Sequence, residues 1–282
     1  MEKEFLRWLT HSVPADERIP LGIGDDAAIL AGCEDGVVVA VDMLVEGVHF
    51  HFNDATVPGY ATPYQVGRKA LAVNLSDLAA MAAEPTAALV AVAANSKRSE
   101  HDLQAIYGGL LDLAKRHKTP IIGGDTNGTD GPLTISVTVL GRVANPWLRS
   151  GASSDDELWV TGRLGGSLLS RHLHFEPRLE EAAWLRERKG ISAAMDISDG
   201  LSVDLPRLAE ASQCGAAVLA EQIPIATDAN ILSKLDGRSP LDHALNDGED
   251  FELLLALRSG DAASIRRDWP FSTELTRIGQ LQ

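Results

Sequence analysis

Cysteine is scarce in this chain, which contains only Cys33 and Cys214. Two thiols so far apart form neither the paired spacing of a zinc site nor a disulfide framework. A buried structural role suits them better than a reactive one. The cysteine content therefore predicts a protein of a reducing compartment, and it excludes a small fold stapled by disulfides.

Long apolar runs are absent, and basic residues are few. No stretch approaches the roughly 18 apolar residues of a membrane-spanning helix, and the first residues lack the apolar core of a signal peptide. Lys and Arg number 25 against 40 Asp and Glu, so the formal charge is −15. Nucleic acids are bound by clustered basic side chains. We therefore predict a cytoplasmic globular protein without nucleic-acid or membrane partners, although bound metal ions would let it hold a nucleotide.

The common phosphate-binding signatures are also missing, because the chain has neither a P-loop nor the protein-kinase motifs. What it has instead is a stretch of two glycines followed by Asp25 and Asp26, at residues 22–26. Glycine lets other groups approach the backbone, and paired aspartates are hard oxygen ligands suited to Mg²⁺. Taken alone, the stretch is equally consistent with a turn, since Gly and Asp are common turn residues. Similar Asp-bearing motifs later in the chain favour the metal site.

The apolar pattern predicts two units of mixed α/β structure, for which 282 residues are enough. In the first unit, strands alternate with helices in a βαβαββ order, with one sheet face left open. The predicted elements of that unit are a short helix over 2–11, strands over 37–41, 89–93, 119–122 and 133–140, and helices over 64–83 and 99–117.

Residues 144–156 have the composition of a domain boundary, so we predict domains over 1–145 and 146–282. The second unit is expected to contain strands over 157–161, 216–219 and 252–257 and a helix over 201–212. The glycine turn over 162–167 is expected to enter a helix, whose N-terminus would suit an anion. We interpret the charged stretch over 171–189 as a solvated helical connector without chemistry.

Seven aspartates share positions at strand-to-loop junctions or helix edges: Asp25, Asp26, Asp42, Asp77, Asp125, Asp196 and Asp199. A site with so many acids binds phosphate only through Mg²⁺ ions that bridge carboxylates to phosphoryl oxygens. Asn74, Ser76 and Asp77 are an unusual polar trio inside an alanine-rich helix, because buried polar groups need partners. Metal or phosphate ligation would supply those partners.

Seven motifs follow one another in an order that makes the family recognisable. They are GIGDDA at 22–27, DMLVEGVHF at 42–50, KALAVNLSDLAAM at 69–81, GGDT at 123–126, RSGA at 149–152, DISDGL at 196–201 and GEDFEL at 248–253. In this order, over nearly the whole chain, they resemble the thiamine-monophosphate kinase family of the aminoimidazole-ribonucleotide-synthetase-like ATP-binding superfamily.

The resemblance implies both a fold and an activity. The fold is an N-terminal α/β domain that pairs across a homodimer into a shared β-barrel, joined to a C-terminal α/β domain. The activity is transfer of the γ-phosphoryl group of ATP to thiamine monophosphate, a small-molecule substrate, with Mg²⁺. Such a site acts by positioning and charge neutralisation, as phosphoryl transfer generally requires. No side chain is expected to act as a general base, since the attacking phosphate oxygen is already anionic.

The resemblance also implies roles for individual residues. Predicted Mg²⁺ ligands are Asp26, Asp42, Asp77, Asp125, Asp196 and Asp199. Predicted ATP contacts are Gly124, Asp125, Arg149, Ser198 and Tyr107, and predicted thiamine contacts are His49 and Glu249. Other roles stay open for three of them: His49 as a packed loop histidine, Tyr107 as a core residue and Glu249 as a cap.

This sequence departs from the family pattern in two places. Ala40 and Val41 stand where the family usually has a Ser/Thr pair that helps to bind metal, and Met43 follows the acid. Family members also continue for some tens of residues beyond the position of Gln282, so we expect a C-terminal truncation that removes an aromatic contact to thiamine. Two alternatives therefore stay open: a superfamily relative that uses ATP on another small substrate, and a non-catalytic nucleotide-binding dimer.

Overall fold

The structure, a computed structural model, describes residues 19–21, 25–30, 36–52, 59–95 and 98–282. The helix predicted over 2–11 lies outside these residues, as do the two glycines of the first motif. Two five-stranded sheets with helices around them make a mixed α/β fold of two domains, as predicted. Among the helices of the described residues, none has the length and apolar character needed to cross a membrane.

The first sheet contains five strands, and two helices cover one of its faces. The strand order is β1-β2-β5-β3-β4, and every neighbouring pair is antiparallel except β3 and β4. The elements are β1 (Ala28–Leu30), β2 (Gly36–Val45), α1 (Pro63–Ala80), β3 (Glu84–Asn95), α2 (Glu100–Arg116), β4 (Ile121–Thr129) and β5 (Thr134–Val143). Within one chain this sheet stays open and does not close into a barrel.

Helices α1 and α2 pack unusually close together because glycines stand at their contact. A Cβ on Gly67 would lie 1.8 Å from the Ile106 carbonyl oxygen, and one on Gly109 would lie 2.0 Å from that of Tyr64. Thr62 caps the N-terminus of α1, and its side chain accepts from the backbone N–H of Gln65 in a capping box. The close contact fixes α1, which carries the polar trio, against α2.

The second sheet is antiparallel throughout, in the order β7-β9-β6-β10-β8. Strand β9, which lies between β7 and the central β6, is buried on both faces, because Leu254 packs into one core and Leu255 into another. The elements are β6 (Glu157–Thr161), α3 (Leu179–Arg186), β7 (Ile191–Asp196), α4 (Leu201–Ala211), β8 (Ala216–Val218), α5 (Thr227–Asp236), α6 (Pro240–Asn246), β9 (Leu253–Leu257), α7 (Ser259–Asp268) and β10 (Leu275–Leu281).

The two domains share packing rather than being joined by a free linker. Ala79 and Ala80, at the end of α1, pack into a core of the second domain. Phe251 of the second domain packs into the core of the first, stacked on Phe175 with ring centroids 4.4 Å apart. The cleft between the domains is therefore built on a packed contact.

Three sequence predictions require correction. The glycine turn before Ser167 leads only into a three-residue 3₁₀ turn (Ser167–Leu169), so no helix N-terminus for an anion exists there. Gly165 and Gly166 instead have positive φ angles and pack against the backbones of other elements. The strand predicted to end at residue 122 continues to Thr129, because its backbone pairs with β3 along this length. Strands β1, β7 and β10 and helices α5 to α7 were not predicted.

The third correction concerns residues 171–189, which were interpreted as a solvated connector. They form a 3₁₀ turn (Arg171–Leu173) and α3, and the side chain of His172 is fully buried. Arg171 donates to Asp250 at 2.6 Å, and Arg178 forms two hydrogen bonds with Glu252. Buried cations need acidic partners. These bonds therefore attach the segment, called the connector below, to the residues around Glu249 at the start of β9.

Candidate functional site

A cavity of about 490 Å³ lies between the two domains, and most of the predicted site residues line it. The first domain contributes the end of β2 and the inner face of α1. The second contributes the loop after β7 and the loop before β9. Nine predicted residues are brought together there: Asp26, Asp42, His49, Asp77, Arg149, Asp196, Ser198, Asp199 and Glu249.

Three of the acids form the centre of the cavity. Asp26, Asp77 and Asp196 each place one carboxylate oxygen within 4.8 Å of the others. Burial raises the pKa of Asp26 to about 6, although Arg149 opposes the shift. Burial and then the neighbouring carboxylates raise the pKa values of Asp77 and Asp196 well above their usual range. Such a cluster is unfavourable without a cation, and its hard oxygen ligands suit Mg²⁺.

The polar trio of α1 is divided between this cluster and its supports. Asp77 lines the cavity, whereas the Ser76 hydroxyl donates to Asp196 across the domain boundary at 2.6 Å. Asn74 accepts from the backbone N–H of Asp42 at 2.9 Å and donates to the Ala70 carbonyl. The expectation that metal or phosphate supplies all three partners is therefore wrong for Asn74 and Ser76. Both instead orient predicted metal ligands.

Arg149 is held by the first acidic motif. Its guanidinium forms two hydrogen bonds with the Asp26 carboxylate, and its backbone N–H donates to Asp25 at 3.0 Å. Burial by itself would lower the pKa of Arg149, but the charge of Asp26 more than compensates and raises it. The predicted nucleotide contact and a predicted metal ligand are thus each other's partners in this structure.

The loop after β7 presents Ser198 and Asp199 to the cavity. Their backbone N–H groups both donate to the same oxygen of Asp204, at 3.0 and 2.9 Å. Arg207 lies 2.7 Å from Asp199 and 2.8 Å from Asp204. Sequence reasoning missed Asp204 and Arg207, although both lie one or two helical turns after the DISDGL motif, within reach of it.

Asp42 and His49 lie at the opposite wall, around the end of β2. Burial raises the pKa of Asp42, while His49 opposes the shift. The backbone N–H of Val45 donates to Nδ1 of His49 at 3.0 Å, which orients the ring at the end of β2. Ala40 and Val41 replace the Ser/Thr pair of the family pattern. Ala40 is buried in the core, whereas Val41 lines the cavity.

Gly124, Asp125 and Tyr107 do not line the cavity. Strand β4, which carries Gly124 and Asp125, lies three strands away from β2, a spacing of roughly 14 Å. Asp125 is exposed and accepts from the Thr126 backbone and the Asn127 side chain. Tyr107 on α2 is partly buried against the first core. Their predicted nucleotide contacts therefore stay predictions.

Glu249 has partners that sequence reasoning did not identify. Lys69 Nζ lies 2.7 Å from its Oε1, and His172 Nδ1 lies 3.0 Å from its Oε2. The signal for Lys69 was a lysine on the apolar face of an alanine-rich helix, where a charge requires a buried partner. No comparable signal marked His172, because it lies in the charged connector.

Comparisons with known proteins agree with this geometry. The family models for the N-terminal and C-terminal domains of AIR synthase related protein match residues 24–143 and 149–280. A thiamine-monophosphate kinase of Rhodopirellula baltica is 41% identical over 100% of this chain and 89% of its own length. The Escherichia coli enzyme of that name is 35% identical over 83% of this chain and 75% of its own.

Solved structures show the same fold. AaThiL complexed with AMPPCP and TMP matches with a TM-score of 0.84 and 26% identity, covering 100% of this chain and 89% of that one. Thiamine-monophosphate kinase from Stenotrophomonas maltophilia K279a matches with a TM-score of 0.78 and 34% identity, covering 99% and 92%. The similarity thus extends through both domains and the cleft between them.

Proposed function

Because this chain belongs to the thiamine-monophosphate kinase family, we propose that it transfers the γ-phosphoryl group of ATP to thiamine monophosphate. The products are thiamine diphosphate and ADP. One observation carries the proposal: Asp26, Asp77 and Asp196 converge in a cavity large enough for small ligands. An acidic cavity of this kind suits a metal-bound nucleotide and not a free anion.

Mg²⁺ fits the residues at the centre of this cavity. Asp26, Asp77 and Asp196 would hold it, and Asp42 and Asp199, which also line the cavity, would be further ligands. When bound there, Mg²⁺ would supply the positive charge that neutralises and orients the phosphoryl oxygens. The chain's own residues keep these carboxylates in place: Ser76 orients Asp196, Asn74 holds the backbone at Asp42, and Asp204 fixes the loop of Asp199.

Two sets of residues in the cavity suit the two substrates. Arg149 and Ser198 would contact ATP, with a guanidinium that matches phosphate geometry. His49 and Glu249 would contact thiamine, whose positive charge is complemented by the Glu249 carboxylate. No side chain needs to remove a proton, since the acceptor is an ionised phosphate. Catalysis then consists of holding the two phosphates in line and screening their repulsion.

We also propose that the protein works as a homodimer through the open face of the first sheet. Val41, Thr138 and Leu89 form one row across β2, β5 and β3 on that face. Val41 and Leu89 are 61% and 38% exposed, and the neighbouring Met43 is 53% exposed. Exposed apolar side chains on an open sheet favour a covering partner. A second copy packed there would close the sheet into the shared barrel and enclose Asp125, which lies on the same face.

Thiamine-monophosphate-dependent ADP release tests the function directly. Wild-type protein with ATP and Mg²⁺ should release ADP only when thiamine monophosphate is present. Asp42→Asn keeps the size of the side chain and should abolish the release, while Asp268→Asn, in an exposed pair with Arg267, should leave it unchanged. A wild-type protein that binds ATP but releases no such ADP would exclude the kinase. We also propose that the two domains divide between residues 145 and 146.

A further inference from the structure

A buried lysine touches the substrate wall of the cavity without lining it. Lys69 lies on α1 and its side chain is fully buried. Its ammonium has three donors, and three groups surround it: Glu249 Oε1 at 2.7 Å, the His49 carbonyl oxygen at 2.9 Å and His172 Nδ1 at 2.8 Å. Lys69 therefore binds both residues that are assigned to thiamine.

His172 closes this network from the connector. Its Nδ1 lies between Lys69 Nζ and Glu249 Oε2, within 3.0 Å of each. The position of the ring proton determines whether Nδ1 accepts from the lysine or donates to the carboxylate. Either bond ties the connector to the ion pair. Three separate parts of the chain thus meet at one carboxylate that is 19% exposed.

The backbone of Glu249 is constrained as well. Glu249 and Phe251 both have φ near +50°, a conformation that costs energy for residues other than glycine. Their N–H groups donate to the Ser198 and Ile197 carbonyl oxygens at 2.7 and 2.8 Å. Strain of this kind persists only where the surroundings over-determine the conformation. The loop thus presents Glu249 to the cavity at a cost that the neighbouring contacts offset.

From these contacts we propose that Lys69, supported by His172, is a positioning residue that fixes Glu249 and the His49 backbone for the thiamine end of the substrate. Lys69 touches neither substrate and acts through the carboxylate. Burial alone would raise the pKa of Glu249, but the His172 hydrogen bond and the Lys69 charge outweigh it and lower the pKa to about 2. Glu249 is therefore a fixed anion in the folded protein. This inference rests on the proposed kinase function.

The test compares Lys69→Met with Arg68→Met. Arg68 is the preceding residue of the same helix and holds the same connector, through the Leu173 and Phe175 carbonyl oxygens and Glu176, but it does not contact Glu249. Lys69→Met should raise KM for thiamine monophosphate about 10- to 100-fold, by analogy with the effect of removing a group that orients a metal ligand. KM for ATP should stay constant. Arg68→Met should lower stability with both KM values unchanged.

Two further measurements keep the result decisive. Lys69→Met introduced into Glu249→Gln should add no further increase in KM, because the lysine acts through that carboxylate. His172→Leu should raise KM for thiamine monophosphate, whereas His172→Asn should not, since the amide reaches the position of Nδ1 and omits Nε2. That Nε2 atom has no hydrogen-bond partner among the described residues. The comparison of His172→Leu with His172→Asn tests the positioning role even if Lys69→Met does not fold.

The possible failures are distinguishable. If wild-type protein shows no thiamine-monophosphate turnover, the proposed kinase function is wrong. In that case, hydrogen exchange of the backbone of residues 247–251 tests the positioning role by itself. Lys69→Met should accelerate that exchange and Arg68→Met should not. If wild type is active but both variants change KM or exchange equally, Lys69 is only a structural residue and the inference is overturned.

Discussion

The Arg149 guanidinium donates to both carboxylate oxygens of Asp26, from Nη2 at 2.6 Å and from Nε at 3.2 Å. Arg149 is the proposed contact to ATP, and Asp26 is a proposed Mg²⁺ ligand. With both of its oxygens bonded, Asp26 can take a cation only by sharing or displacing this arginine. The pair therefore couples the metal and nucleotide halves of the proposed site.

Arg149→Met is expected to strengthen Mg²⁺ binding in the absence of nucleotide, because it removes a competing positive charge. A unit charge near 4 Å is worth about 1–4 kcal/mol, so the half-saturating Mg²⁺ concentration should fall at least about fivefold. The Mg²⁺-dependent rise in Tm measures this, and KM for ATP should increase. Arg163→Met, which breaks an exposed pair with Glu274, is the control. Unchanged Mg²⁺ binding in Arg149→Met would refute the competition.

Asp77→Asn should have opposite effects on stability and activity. It relieves repulsion in the cluster with Asp26 and Asp196, so in EDTA the free energy of unfolding should rise by about 1 kcal/mol or more. The same change removes a metal ligand, so turnover and the stabilisation by Mg²⁺ should both disappear. Thermal unfolding with EDTA and with Mg²⁺ measures both effects, and Glu187→Gln, at an exposed residue, is the control. A variant less stable than wild type in EDTA would count against the cluster.

Asp250→Asn tests a buried carboxylate outside the cavity. Burial raises the pKa of Asp250 to about 7, although Arg171 opposes the shift. The pKa of Asp250 is higher in the folded than in the unfolded protein. The contribution of this side chain to stability is therefore complete below about pH 4 and is lost as the pH rises to about 7. The free energy of unfolding of the variant, relative to that of wild type, should therefore rise by up to about 1.4 kcal/mol per pH unit across this window. Above about pH 7 the difference should stay constant.

Thermal or urea unfolding of Asp250→Asn and wild type between pH 4.5 and 8 measures this difference. Asp268→Asn replaces an exposed acid, so its difference from wild type should stay nearly constant over that range. A difference for Asp250→Asn that does not change with pH would mean that the Arg171 pair holds Asp250 ionised throughout.

Leu89→Glu is expected to abolish the proposed homodimer, because it places a charge on the open face of the first sheet. Wild-type protein at micromolar concentration should sediment at twice the 30.1 kDa chain mass and the variant at the chain mass. Leu235→Glu, at a 72% exposed position on α5, should remain dimeric. A monomeric wild type would exclude the dimer, and a dimeric Leu89→Glu would assign it to another face.

Much of the fold was predictable because local patterns specify it. The β-branched run at 37–41 and the alternating run at 133–140 both form strands, β2 and β5. Helices α5 and α6 were missed because they are short and carry few apolar residues, so their periodicity is weak. The family resemblance is confirmed by a relative that is 41% identical over the whole of this chain.

The chemistry of the site was predictable from residue types, but its pairings were not. Repeated aspartates next to glycines indicated a metal site, since few other roles require so many hard ligands. Nothing in the sequence paired Lys69 with Glu249, because 180 residues separate them. The Ser76 contact to Asp196 was hidden for the same reason, with 120 residues between them.

The sequence by itself determined the chemical groups that this protein carries: acids suited to a metal ion, an arginine suited to phosphate, and a scaffold of alternating strands and helices. The tertiary structure alone decided which acids lie close together and that Arg149 pairs with Asp26. It also decided that Gly124, Asp125 and Tyr107 lie away from the cavity. The reason is physical. Local propensities act over a few residues, whereas these relationships depend on strand order and on how two domains pack across a cleft.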